Sequence, residues 1–338
     1  HADTIGIGLV GVGGIGRYHA KLWSEVPGAK LVGVYDVAPA ACERARKDFN
    51  IPQVYATLDE LVNDPAIDAV DVCTPNNFHK PGVLAALGAG KHCLCEKPLA
   101  ADPADIEAMI AARDTSGRLL MTAQHMRFEQ RTQSLKRIIN AGRLGEIYYS
   151  RAWWLRRRAA PATPGFLKKA QAGYGPGMDL GVHMLDLAMY LLDHPRPVSV
   201  AGFSTRKLAQ RPDVANQWGK FEPADFEVEE FAAGFIRFAN DTVLSLEVSW
   251  LLNQSANEIT GLWLHGTEGG AEWPELQLNT VQDGLLANVK ITSELGGDGH
   301  RNEMTAFANA IRAGEPSPVP PEQSLVVART LAALYESA

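Results

Sequence analysis

The sequence predicts an α/β protein in two parts: an N-terminal doubly wound parallel sheet over residues 1–125, then a C-terminal α+β domain over residues 126–338, built on a large, mainly antiparallel open sheet. Three observations predict it. Short β-rich runs alternate with helical patterns through the first part, which is the rhythm of βαβ units. The first of these runs ends in a glycine-rich turn that opens a helix. Past residue 125 the runs lengthen and follow one another across turn signals without crossover helices, as antiparallel strands do.

Taken in order, residues 5–10 form a compact apolar run, and 31–35, 69–73, 92–95 and 119–123 continue the series. Helical patterns at 15–26, 39–49, 78–89 and 103–116 lie between them. The last of these opens with Asp102 as N-cap and Pro103 at the first helical position, where the missing N–H costs nothing. In the second part, 199–206, 228–238, 243–250, 257–265 and 285–292 read as strands, with turns such as Asn240-Asp241 and Gly269-Gly270 between them. Helices return at 179–192, 303–313 and 322–336, the last able to pack back on the first domain. The stretch 316–321 is proline-rich, and 209–224, polar with scattered aromatics, reads as a long loop.

A hydrophobic content of 46% with 21% charged residues is ordinary for a globular chain with a real core. The formal net charge of −7 argues against a nucleic-acid partner, which calls for a basic face. No apolar run approaches the ~18 residues of a membrane span, so no membrane partner is expected. No basic segment followed by a long apolar run opens the chain, His1-Ala2 reads as a cloning remnant, and the cytoplasm is the expected compartment. Cys42, Cys73, Cys93 and Cys95 have no zinc spacing and are expected to be small buried hydrophobes in a reducing environment.

The turn after the first run is Gly11-Val12-Gly13-Gly14-Ile15-Gly16, a G-x-G-x-x-G pattern that follows a strand and opens a helix. Gly11 permits the tight turn, Gly13 a close backbone approach to a pyrophosphate, and Gly16 close helix–strand packing. The first N–H groups of the helix, including those at Gly14 and Ile15, then face the phosphates. Asp36, twenty residues past Gly16 and at the end of the next run, is placed to hydrogen-bond an adenosine ribose and to repel a 2′-phosphate. The first domain is therefore expected to be a Rossmann fold that prefers NAD, with NADP as the second cofactor. Ligands of such sheets bind beyond the carboxyl ends of the strands. Thr74, Pro75, Asn76 and His79 after the third long run, and Glu96 and Lys97 after the fourth, should border the same cofactor.

Further on, Gly173-Tyr174-Gly175-Pro176-Gly177-Met178-Asp179 leads to His183; if this loop opens a helix, Asp179 and His183 share a face at i and i+4. With the glycine turn, the T-P-x-x-x-H of Thr74 to His79, the E-K-P of Glu96 to Pro98 and the D-x-x-x-H of Asp179 to His183, the chain resembles the Gfo/Idh/MocA family (glucose–fructose oxidoreductase, inositol dehydrogenase, rhizopine catabolism). It departs from that family's usual loop at Tyr174, where many members carry Gly, and at Gly177, where many carry an aliphatic residue. The resemblance implies an NAD(P)-dependent dehydrogenase or reductase acting on a sugar or cyclitol hydroxyl. Lys97, Asp179 and His183 would be its catalytic residues: His183 as the general base, Lys97 as the donor that stabilises alkoxide charge, Asp179 as an acceptor that orients substrate or the His–Lys pair. Glu96 would contact the nicotinamide side or fix Lys97. A metal held by Asp179, His183, Asp186 or His194 would lack a third ligand at known spacing, so no metal is expected.

The substrate-binding candidates are Arg127, Trp154, Arg156, Arg158 and His300, the last following Gly296-Gly297-Asp298-Gly299. In an extended segment Trp154, Arg156 and Arg158 would face one way, with Trp153 and Arg157 on the other side. An indole covers the apolar face of a polyhydroxylated ring while guanidinium groups donate to its hydroxyls. Phosphate, carboxylate and neutral substrates are not separated by the sequence. Trp250 and Trp263 suggest that the outer face of the second sheet meets a partner chain, and the resemblance implies a homodimer or homotetramer. The competing functions are an NAD-dependent glycosidase that oxidises its sugar transiently, an aldose–aldose oxidoreductase, and a non-catalytic NAD sensor, which would have no need of Lys97, Asp179 and His183 together.

Overall fold

The structure, a computed structural model, describes residues 4–292 and 297–338; His1-Ala2 and Gly296 lie outside the described residues. The chain divides into two compact units, one of residues up to His125 with Asp298–Leu325, the other of Met126–Gly297 with Val326–Ala338.

In the first unit, β1 (Ile5–Val10), α1 (Gly14–Trp23), β2 (Ala29–Tyr35), α2 (Pro39–Phe49), β3 (Gln53–Val54) and α3 (Leu58–Asn63) form one half of a doubly wound layer. The other half is β4 (Ala69–Val72), α4 (His79–Gly88), β5 (His92–Glu96), α5 (Pro103–Ser116) and β6 (Leu120–Ala123). The strand order is β3-β2-β1-β4-β5-β6, every pair parallel. Every residue of β1, β4 and β6 is buried, which is why these strands read as unbroken apolar runs rather than alternating ones. Asp102 caps α5 as expected, accepting from the Ala104 N–H at 2.9 Å. The winding reverses between β1 and β4, and a crevice for a ligand opens beyond their carboxyl ends.

The second unit contains α6 (Gln130–Asn140), β7 (Ile147–Arg156), the short helices α7 (Pro164–Leu167) and α8 (Lys169–Ala172), and α9 (Val182–Leu191). Its remaining strands are β8 (Pro197–Thr205), β9 (Phe231–Phe238), β10 (Val243–Ser249), β11 (Glu258–Gly266), β12 (Gly270–Trp273), β13 (Gln277–Gln282) and β14 (Leu285–Lys290). They form one sheet, β14-β13-β12-β11-β7-β10-β9-β8, in which only the β7–β10 pair is parallel. Register puts Ala152, Leu246 and Leu262 on one face, where α9 packs with every residue but Tyr190 buried. On the other face Trp153 meets Trp263 edge-on at 4.9 Å, and Phe203, Phe235 and Ile259 are exposed.

Trp250 corrects one expectation. It lies just past β10, is fully buried within its own unit against Phe166 and Phe226, and takes no part in the sheet's outer face. A second difference concerns the C-terminal segment. The sequence places 126–338 in one domain from which only the last helix could pack back on the first, whereas it is α10 (Gly299–Ala313) that packs on α1 and β6 and buries Met304, Phe307 and Ala308 there, so Asp298–Leu325 joins the first unit. The division falls inside α11 (Pro321–Ser337), between Leu325 and Val326. Among the described residues no helix is long and apolar enough to cross a membrane.

Candidate active site

The glycine turn is tight where packing demands it and open where a ligand would lie. Gly11 has φ +90°, and a Cβ on Gly16 would stand 2.0 Å from the Gly11 carbonyl oxygen. A Cβ on Gly13 or Gly14 would meet nothing within 4 Å, and Gly13, Gly14 and Ile15 are exposed. No side chain caps α1, so its first N–H groups are left to a ligand. Asp36 closes β2 beside this turn, accepting from the N–H of Val12 and of Ala38, each at 2.9 Å. At the end of β4 the Thr74 hydroxyl is buried with no hydrogen-bond partner among the described residues. An open anion cradle, a carboxylate beyond the second strand and an unmet hydroxyl at the switch point together fit a dinucleotide.

His79 has a different task from the one expected. It is 1% exposed, and its ring nitrogens lie 2.7 Å from the Pro98 carbonyl oxygen and 2.9 Å from that of Thr74. Burial pushes its pKa down, and the ring braces the Thr74 and Pro98 loops from behind instead of lining the cofactor cleft. Lys97 follows β5 and is half-buried, joined to Pro98 by a cis peptide bond.

Beneath these loops lies a buried polar cluster that the sequence reading missed. Glu96 accepts from the Lys97 N–H at 3.0 Å through Oε2, and its Oε1 stands 3.0 Å from His19 Nε2. His19 Nδ1 is 2.9 Å from Asp71, which also accepts from Trp23 at 2.7 Å. Burial works against charge on both partners. At His19 the neighbouring Cys73 and Asp71 outweigh it and hold the pKa well above the usual value; at Glu96 the His19 contact, then Lys97 and His300, hold it down to about 2. Glu303 of α10 completes the cluster, fully buried and pushed up well above the usual carboxylate range by burial and then by Glu96. His300 stacks on His125 at 3.8 Å and meets Tyr18 edge-on, within the first unit. The helical spacing Gly16 to His19 was the one available sequence signal for this cluster, since it turns His19 inward on α1.

In the second unit Asp179 lies in a π-helical turn, Gly177–Gly181, and His183 in the first turn of α9 directly after it. The expected continuous helix is therefore locally widened, as happens at many functional sites. Asp179 Oδ2 accepts from Trp250 at 3.0 Å and stands 3.6 Å from Arg156 Nη1. His183 is 5% exposed, with its ring 5.9 Å from that of Trp154. Trp154 and Arg156 share the inner face of β7 as expected, and both donate to Glu258 of β11, Arg156 at 2.9 Å. Arg156 also lies over the rings of Trp154 and Trp218, at 5.5 and 4.4 Å.

The loop's two departures from the resembled family have one cause. Tyr174 stacks on Tyr335 at 3.9 Å, and a Cβ on Gly177 would stand 1.8 Å from the Tyr335 hydroxyl, which donates to Glu229. An aromatic residue at 174 and no side chain at 177 are what Tyr335 requires.

Two of the candidate substrate contacts have partners within the protein. Arg127 is 2% exposed and donates to both oxygens of Asp186, at 2.7 and 2.6 Å, with Tyr190 under its guanidinium. This is a structural ion pair, since a buried guanidinium needs a carboxylate to offset its lost hydration. Arg158 lies past the end of β7 and donates to Asn253 and to the Arg157 carbonyl. The four cysteines are buried and unbridged, as expected. Among the described residues the groups that bring three residues of metal-ligating type together are His19 with Asp71 and Cys73, and His19 with Glu96 and Glu303; neither includes Asp179, His183, Asp186 or His194.

Two family models match the chain, one described as an oxidoreductase family with an NAD-binding Rossmann fold over residues 5–124, the other as the GFO/IDH/MocA C-terminal domain over residues 132–272. D-glucoside 3-dehydrogenase of Escherichia coli (strain K12) is 32% identical over 338 residues, taking in 100% of this chain and 96% of that protein. Levoglucosan dehydrogenase of Pseudarthrobacter phenanthrenivorans is 30% identical over 286 residues, 79% of this chain and 73% of that one. A solved levoglucosan dehydrogenase in complex with NADH and levoglucosan shares the fold, with a TM-score of 0.87 at 24% identity, covering 99% of this chain and 97% of that chain.

Proposed function

Because the chain belongs to the GFO/IDH/MocA family of NAD-binding oxidoreductases, we propose that it interconverts a hydroxyl-bearing carbon of a sugar, sugar derivative or cyclitol and the matching ketone. The preferred cofactor is NAD over NADP. The observation that carries this reading is the full-length likeness to a sugar dehydrogenase, joined to an Asp179–His183 pair set against Trp154, an aromatic surface suited to a sugar ring.

His183 removes the hydroxyl proton, and Lys97 donates a hydrogen bond to the same oxygen as charge builds on it. The bound nicotinamide supplies the hydride acceptor. Asp179, held by Trp250 and Arg156, orients the substrate or the base, and Glu96 fixes the Lys97 backbone. Released together, the proton and the hydride leave a ketone, NADH and one H⁺. We assign the protein to a homodimer or homotetramer through the outer face of the second sheet, where Phe203, Phe235 and Ile259 are exposed; light scattering after size exclusion tests it.

The experiment is an absorbance screen at the NADH band with NAD or NADP and a panel of glycosides, aldoses, anhydrosugars and inositols. NADH formed with one or a few of them supports the dehydrogenase. A panel with no NADH formed, despite bound cofactor, turns the reading toward the NAD-dependent glycosidase or the sensor.

A further inference from the structure

Resting on that reading, we infer that Trp218 forms a second sugar subsite beside the one at His183, so that the substrate is a two-ring glycoside whose oxidised ring lies on Trp154 and whose second ring lies on Trp218. Trp218 belongs to the polar stretch 209–224, which no step of the proposed reaction uses. Its indole is 50% exposed, yet the backbone around it is pinned. The Asn216 carboxamide accepts from the Ala160 N–H at 2.9 Å and donates to the carbonyls of Ala160 at 2.9 Å and Gly219 at 2.8 Å. Next to it the Gln217 N–H donates to the Arg158 carbonyl at 2.8 Å. A large apolar ring left half in solvent and held in place is ready for a ligand, because it loses little freedom when one binds.

This platform continues the one beside the base. The His183 ring is 5.9 Å from that of Trp154, and the Arg156 guanidinium lies 5.5 Å from the Trp154 ring and 4.4 Å from the Trp218 ring. Glu258 holds that guanidinium through Nε at 2.9 Å. Its Nη1 is buried without a hydrogen-bond partner among the described residues, with Asp179 Oδ2 at 3.6 Å. A buried donor left unmet costs free energy that a ligand oxygen removes. Two indoles therefore flank one donor that awaits an acceptor. A single pyranose covers one indole with its C–H face; a second indole joined to the first through a donor calls for a second ring, with a glycosidic or hydroxyl oxygen between the two.

The test is calorimetric titration of the full chain saturated with NADH, using methyl β-D-glucopyranoside, cellobiose, maltose and glucose 6-phosphate. The expected result is that cellobiose or maltose binds at least about tenfold tighter than the methyl glucoside. In Trp218→Ala that ratio should fall toward one, and in Trp218→Phe, which keeps an aromatic face, it should stay within about threefold of its starting value. Trp154→Ala should weaken both ligands and keep the ratio. No disaccharide advantage in the unaltered protein, no binding of any probe, or a Trp218→Ala protein in which disaccharide and methyl glucoside weaken together overturns the inference. So does tighter binding of glucose 6-phosphate than of either disaccharide, which would assign Nη1 to an anionic substituent. The expected binding pattern without NADH formation from any sugar with NAD would instead count against the dehydrogenase reading and leave this one standing.

Discussion

His19 Nε2 stands 3.0 Å from Glu96 Oε1, so a single buried ring on the helix behind the glycine turn holds the carboxylate that fixes the backbone of Lys97. Replacing His19 by Ala would leave Glu96 and Asp71 buried without their shared cation. The expected loss is about 3–5 kcal/mol of unfolding free energy, read by urea denaturation at neutral pH. An unchanged midpoint would mean that the ring carries no charge between the two carboxylates.

The same pair has an acid signature. Glu96 is held down from 4.5 to about 2, so its contribution to stability is complete above its unfolded value and fades as pH falls from 4.5 toward 2. His19 is displaced upward, so its share is complete below its unfolded value and is lost only as pH rises through the elevated folded one. Unfolding free energy followed through the acid window should fall less steeply in Glu96→Gln than in the unaltered protein. Parallel curves for the two proteins would remove Glu96 as the source.

Lys97→Ala and His183→Ala should each lower turnover at least about a hundredfold while NAD affinity stays within a few-fold of the unaltered protein. Single-turnover absorbance with fluorescence titration of NADH separates the two quantities. Near-normal turnover in His183→Ala would take the base assignment away from this residue.

The glycine turn offers a contrast between two similar substitutions. Gly13→Ala meets nothing within 4 Å and should fold normally but bind NAD poorly, whereas Gly16→Ala drives a methyl to 2.0 Å from a carbonyl oxygen and should fail at folding. Melting temperature and NADH titration, measured on both, give opposite patterns if Gly13 faces the pyrophosphate. Asp36→Ala should weaken NAD by about tenfold or more and narrow the preference over NADP; an unchanged preference would assign the discrimination elsewhere.

Gly177→Ala pushes a methyl to 1.8 Å from the Tyr335 hydroxyl, and its damage should be partly relieved by Tyr335→Phe, which removes the nearest atom. A thermal-melt double-mutant cycle reads that relief as a coupling energy. Strict additivity would dissociate the glycine from the tyrosine.

What could be read from the chain beforehand follows the range of each interaction. The glycine turn, the capped start of α5 and the Asp179–His183 spacing are local, and their residues sit where local geometry puts them. Buried strands announced themselves as apolar runs, while β12 and β13, short or half-exposed, did not. Two of the misreadings are pairings across long separations. Arg127 looked like a ligand because Asp186, its partner, is 59 residues away; Trp250 looked like an interface residue because nothing near it in sequence shows that Asp179 accepts its N–H. His19, Asp71, Glu96 and Glu303 meet only after the chain has come back to the first unit, and no periodicity records that.

That return sets a timetable for synthesis. The last strand of the parallel sheet ends at Ala123, yet the helix whose Met304, Phe307 and Ala308 cover it begins at Gly299. A ribosome adding about 5–20 residues per second needs on the order of ten seconds or more to cover that gap, during which the nucleotide-binding half has a side open to solvent or to a chaperone. The part of the protein that is translated first is thus sealed near the end, and a nascent chain stalled anywhere in the large sheet should present the apolar surface that α10 normally covers.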